Sequence, residues 1–155
     1  MREVLLGILT SGGIFMQISD VMTSQVISVR QSETAEMAAR LLSRNNIGAM
    51  PVCDDNGAVV GMVTDRDLVT RCMAAGLKPQ ETPVAQVMTS GPITVQAEES
   101  AGAVSAIMGS SQVRRVPVIR DGALAGIVSL ADLARHREGR TERTLEEISS
   151  NVSRR

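Results

Sequence analysis

Two stretches carry the side chains best suited to chemistry: Gly61-Met62-Val63-Thr64-Asp65-Arg66-Asp67 and Gly126-Ile127-Val128-Ser129-Leu130-Ala131-Asp132. In each, a strand-like run leads to a hydroxyl, and a carboxylate follows three residues on. A hydroxyl and free N–H groups at a helix start can receive a polar ligand, and an ionised carboxylate, with two acceptor oxygens, suits the adjacent hydroxyls of a ribose. Thr64 with Asp67, and Ser129 with Asp132, are therefore candidate contacts. The same spacing is also that of a capping box, in which both side chains satisfy first-turn N–H groups and bind nothing.

Catalytic chemistry finds little else. There is no Ser/His/Asp set, Cys/His pair, P-loop lysine motif or metal-ligand cluster. The lone histidine, His136, sits in a basic stretch without a partner at useful spacing and reads as solvated surface. Cys53 and Cys72 match no metal-ligand spacing and read as reduced, packed thiols of a cytoplasmic protein. Asp54 and Asp55 could suggest a cation site, but the turn Asp54-Asp55-Asn56-Gly57 explains them. An enzyme is not expected.

The elements that position the two stretches occur twice. The run from Ser19 to Leu68 aligns with that from Ala85 to Leu133, pairing Met22 with Met88 and Pro51 with Pro117 at a common offset of 66 (88 − 22 and 117 − 51). Within the first copy, Val26 to Val29 forms a strand. Ser32 or Thr34 caps a helix whose buried stripe is Met37, Leu41 and Leu42, ending near Asn45-Asn46. Ala49 to Cys53 and Val59 to Val63 make a hairpin, and a helix from Asp65 to about Ala75 is closed by Gly76 and Pro79.

The second copy has strands near Ile93 to Val95, Arg115 to Ile119 and Leu124 to Val128, with helices near Ser100 to Ser110 and Leu130 to His136. Its turn, Arg120-Asp121-Gly122, is shorter. The order is β-α-β-β-α twice, an α+β fold. A sheet covered by helices on one face is half exposed, so the copies are expected to pack sheet to sheet about a pseudo-two-fold axis, leaving two related clefts.

Bulk properties agree with a folded binding protein. A hydrophobic share of 43% and a charged share of 21% are ordinary for a globular chain. A net charge of −1 and a single aromatic, Phe15, disfavour broad nucleic-acid binding. The nine methionines serve as adaptable core filler in place of aromatics. The apolar stretch from Val4 to Ile18 is interrupted by Thr10-Ser11-Gly12-Gly13 and is too short to span a bilayer; it also makes a poor signal peptide. No membrane partner is expected. The organisation is an extension or packing arm over 1–15, one repeat over 16–78, a second over 79–137, and a charged tail over 138–155. Thr144 and Glu147 could cap a short docking helix in that tail, or the tail could fray.

The conjunction, twice and in order, of Val-Met-Thr, a hydrophobic-Pro-Val strand (Met50-Pro51-Val52; Val116-Pro117-Val118) and a closing Gly-x-x-[Ser/Thr]-x-x-Asp resembles the CBS (cystathionine-β-synthase) domain pair, or Bateman module. It covers roughly Met16 to Leu133, and the likeness is to stand-alone pairs of a kind common in bacteria. The resemblance implies clefts that take AMP, ADP, ATP or another adenosyl ligand, a homodimeric disk, and regulation of a protein target whose identity is unknown.

Carried over by position, it gives ribose contacts to Thr64 and Asp67 in one cleft and to Ser129 and Asp132 in the other. The backbone at Ile27-Ser28 and Ile93-Thr94 would meet the base edge. Ile47, Met50 and Val116 would sandwich the base, and Gly48, Ala49, Pro51 and Pro117 are further ligand-binding candidates. Arg66, Arg114 and Arg115 are phosphate candidates, with solvated surface charge as the alternative. Arg114-Arg115 falls where the first copy has Gly48-Ala49, so the clefts should be unequal. The competing reading is a structural or oligomerisation module with no nucleotide ligand.

Overall fold

The computed structural model describes residues 16–137, so the expected arm and charged tail lie outside the described residues. Each half is a small sheet packed on helices. In the first, β1 (Val29–Arg30) runs parallel to β2 (Ala49–Cys53), which pairs antiparallel with β3 (Val59–Thr64). In the second, β5 (Val95–Gln96) runs parallel to β6 (Arg115–Arg120), which pairs antiparallel with β7 (Ala123–Ser129). The ladders shift register at equivalent places, between Val52 and Cys53 and between Val118 and Ile119.

Helix α1 (Ala35–Asn45) starts where the Thr34 hydroxyl accepts from the Met37 N–H at 3.1 Å, and α4 (Ala101–Ser111) where Ser100 accepts from Ala103 at 3.2 Å. Both close on a residue in the left-handed region, Asn46 (φ 51°) and Gln112 (φ 54°). The helix after β3 begins as a single α turn, α2 (Asp65–Asp67), and continues as a π-helix (Leu68–Met73) rather than as the regular α-helix expected. Gly76, at φ 72°, stands where the chain must turn left-handed to leave it. After β7, helix α5 covers 130–137 to the edge of the described residues.

The first strand of each repeat is shorter than its β-branched run suggests. Proline has no N–H to give the ladder. Pairing of β1 with β2 starts only at Val29 with Val52, just past Pro51, and pairing of β5 with β6 at Val95 with Val118, just past Pro117.

The halves exchange their leading segments. Helix α3 (Val84–Val87) buries Val84 and Val87 in the first core, beside Val29, Leu42, Met50 and Val63. The following β4 (Thr89–Ser90) adds an edge strand to β3, with Met62 opposite Thr89 and Gly61 opposite Ser90. Reciprocally, the 3-10 turn Ile18–Asp20 sends Ile18 into the second core with Val104, Met108 and Val128. Thr23 then bridges to Ile127 of β7 through two 2.9 Å hydrogen bonds. Each Val-Met-Thr segment thus serves the sheet of the other repeat, an exchange with two-fold character.

Candidate functional site

Both hydroxyl–carboxylate pairs sit where a sheet hands over to a helix. Thr64 ends β3 opposite Ala49, and the Asp65 N–H donates to the Gly48 carbonyl at 3.1 Å. Ser129 ends β7 opposite Arg115, and the Leu130 N–H donates to the Arg114 carbonyl at 2.8 Å. Sheet register therefore gathers Gly48, Ala49, Thr64 and Asp67 at one point and Arg114, Arg115, Ser129 and Asp132 at its counterpart.

The capping boxes are closed in both halves. The Asp67 N–H donates to Thr64 Oγ1 and the Thr64 N–H to Asp67 Oδ2, both at 3.0 Å. The Asp132 N–H donates to Ser129 Oγ at 3.1 Å and the Ser129 N–H to Asp132 Oδ2 at 2.9 Å. One oxygen of each carboxylate is thereby committed, and Oδ1 is what remains for a ligand. Capping and ligand contact are thus compatible in one side chain.

Those remaining oxygens differ. Asp132 Oδ1 accepts from Arg135 Nη2 at 2.5 Å, whereas Asp67 Oδ1 faces Arg71 Nε across a looser 3.7 Å. Burial opposes ionisation of Asp132, but hydrogen bonds from the Ser129 hydroxyl and backbone N–H and from Arg135 outweigh it, holding the carboxyl below its ordinary value. The two ends thus differ in the partners of their carboxylates as well as in the change from Gly48-Ala49 to Arg114-Arg115.

The other expected residues divide. Ile27 and Ile93 are exposed at 36% and 38%, apolar surface that a base could cover. Ile47 is half-buried, and Thr94 is exposed. Arg66, Arg114 and Arg115 are exposed, with no ion pair to their guanidinium groups among the described residues. Met50 and Val116, expected to sandwich a purine, are 0% exposed and belong to the two cores, so they offer a base no surface. Pro51 and Pro117 are likewise buried within their strands.

Two cavities bear on these groups. A cleft of about 560 Å³ lies between the first hairpin turn and β7, lined by Ser28, Arg30, Cys53, Asp55 and Ala123 among others. Burial raises the Cys53 thiol above its ordinary value, against a hydrogen bond from Ser28 that lowers it and with the Asp54 charge adding to the rise. A smaller cavity of about 290 Å³ brings Asp132 together with Asp20, Val21, Arg135 and His136. Among the described residues no cluster of His, Cys, Asp and Glu is arranged to hold a metal ion, and no helix is long and apolar enough to cross a membrane.

The roles of Arg71 and Arg135 were missed from the sequence. Their signal was present, because residues three and four beyond a helical carboxylate share its face.

Comparison with known proteins decides the family. The CBS domain model matches twice, over residues 18–74 and 84–139. The chain belongs to the CBS domain family. Hypoxic response protein 1 of Mycobacterium tuberculosis is 40% identical to it over 117 residues, covering 76% of this chain and 82% of that one. The CBS domain-containing protein YhcV of Bacillus subtilis is 38% identical, with 76% and 82% covered.

Among solved structures, Hypoxic Response Protein I with two coordinated zinc ions matches at a TM-score of 0.72 and 39% identity, over 78% of this chain and 98% of that one. Two CBS structures with adenosyl ligands match at 25% identity, each over 81% of this chain and 98% of theirs. They are the CBS domain pair of protein MJ0100 with 5′-methylthioadenosine and S-adenosyl-L-methionine, TM-score 0.69, and CBSX2 with AMP, TM-score 0.71. CBS repeats packed together, in a mixed α and β fold, are what this chain shares with all three.

Proposed function

We propose that this CBS pair is a regulatory sensor that takes AMP, ADP, ATP or a related adenosyl ligand at the sheet–helix junctions and passes its occupancy to a protein target. It acts by binding, not by catalysis. The observation that carries this reading is the likeness, over 81% of the chain, to CBS structures that hold AMP or S-adenosyl-L-methionine. The local chemistry supports it: Asp67 and Asp132 each keep one carboxylate oxygen outside the capping box, the place where a ribose diol would bind. Ile27 and Ile93 would meet the base, and Arg66, Arg114 and Arg115 a phosphate.

The two ends are unequal in this reading. Asp67 is the better ribose acceptor, since Arg135 already holds Asp132. Met37 on α1, exposed rather than in the buried stripe expected of it, and the exposed Val69 and Met73 on the π-helix after α2 support assembly as a homodimer. The free, buried thiols of Cys53 and Cys72 support a reducing, cytoplasmic location.

The closed capping boxes favour one rival, a module whose hydroxyls and carboxylates only cap. A thermal-shift series with AMP, ADP, ATP and S-adenosylmethionine separates the two. A ligand at a hundred times its dissociation constant adds about 2.7 kcal/mol, a rise of several degrees for a chain of this size. A melting temperature unmoved by all four ligands would favour the capping-only module.

A further inference from the structure

We infer that Arg71 is a positioning residue that couples the Asp67 carboxylate to the crossing segment 87–90, so that engagement of the first junction is felt in the connection between the repeats. The coupling stands on geometry; only the identity of what engages Asp67 rests on the proposed ligand. Arg71 lies one helical turn beyond Asp67, with Nε 3.7 Å from Asp67 Oδ1. Its Nη1 donates to the carbonyls of Val87 at 3.2 Å and Met88 at 3.0 Å and to Thr89 Oγ1 at 3.2 Å. One guanidinium therefore spans the candidate ligand carboxylate and three consecutive residues of the other repeat's leading segment.

The fork is planar and rigid, so it cannot turn toward or away from Asp67 without changing its grip on residues 87–89. Asp67 Oδ2 is held by the Thr64 N–H, which leaves Oδ1 as the atom through which a change arrives. A hydroxyl donating to Oδ1 weakens its hold on Arg71. The segment that Arg71 grips continues directly into β4, the edge strand on Gly61 and Met62, and then into β5 of the second repeat.

The second half supplies an internal control. Four residues beyond Asp132 stands His136 instead of arginine. Arg135, three residues beyond, is bonded to Asp132, and among the described residues neither side chain hydrogen-bonds to residues 21–23. Neither Arg135 nor His136 therefore clamps the crossing segment of that half to the carboxylate.

The test is amide hydrogen exchange on the full chain for the wild type, Asp67→Asn, Arg71→Met and the double variant, without ligand. Asparagine keeps an acceptor for the Thr64 N–H and removes the charge that faces Arg71. Coupling predicts that each single change raises exchange over 87–91 by roughly threefold or more and that the double variant adds nothing further, with residues 21–25 unaffected. Arg71→Lys, which keeps the charge and loses the fork, should behave like Arg71→Met. Additive effects, or an Asp67→Asn variant with unchanged exchange over 87–91, would overturn the coupling. AMP is then the probe: it should alter exchange over 87–91 in the wild type and raise the melting temperature of Arg71→Met without that alteration. Failure of AMP to bind the wild type counts against the ligand, whereas the ligand-free cycle alone decides the coupling.

Discussion

Met88 lies so close to Gly61 that a Cβ built on the glycine would stand 2.5 Å from Met88 Sδ and 2.9 Å from the Thr89 carbonyl oxygen. The second repeat mirrors this, with Gly126 against Met22 and 2.9 Å from the Thr23 carbonyl oxygen. The glycine of each closing motif is there because a segment from the other repeat crosses over it.

Gly61→Ala should therefore destabilise the fold by about 1–3 kcal/mol, the usual cost of overpacking, because the Thr89 backbone cannot move aside as a side-chain tip can. Urea unfolding measures it. Adding Met88→Ala should recover only part of the loss, since the clash with the carbonyl remains.

The exchange also predicts that Ile18, far in sequence from the second repeat, stabilises that half. Ile18 is 0% exposed within the second core. Ile18→Ala should cost about 2–5 kcal/mol. Hydrogen exchange should report the loosening at β5, β6 and β7 before β2 and β3; loosening confined to the first sheet would contradict the exchange.

Much of this was legible from local patterns. The repeat, a hydroxyl cap at Ser32 or Thr34, which the structure gives to Thr34, and the hydroxyl–carboxylate pairs each depend on residues a few positions apart, and all appear in the structure. The exchange was not legible, because nothing in Val-Met-Thr marks which sheet it will join; the signal was the bare Gly61 and Gly126, whose reason lies in the partner segment. Met50 and Val116 failed as base contacts for another reason. They lie next to the junction in sequence, but their strands pass through the interior and take both side chains into the cores.

Acid should weaken the second junction. The folded carboxyl of Asp132 titrates below its unfolded value near 3.8. Its contribution to stability is thus present above that unfolded value and disappears as pH falls through the lower folded one. The stability gap between the wild type and Asp132→Asn should be widest near neutrality and narrower at about pH 3 in chemical unfolding. A gap that widens on acidification would reverse the assigned sign.

The central claim, an adenosyl ligand on the two junction carboxylates, is tested most directly by calorimetric titration of AMP into the wild type, Asp67→Ala and Asp132→Ala. Hydrogen bonds to a charged group contribute about 1.5–3 kcal/mol, so saturable binding should weaken by roughly tenfold or more when the engaged carboxylate is removed, most strongly for Asp67→Ala. Absence of binding to the wild type, or binding untouched by either substitution, would contradict the claim.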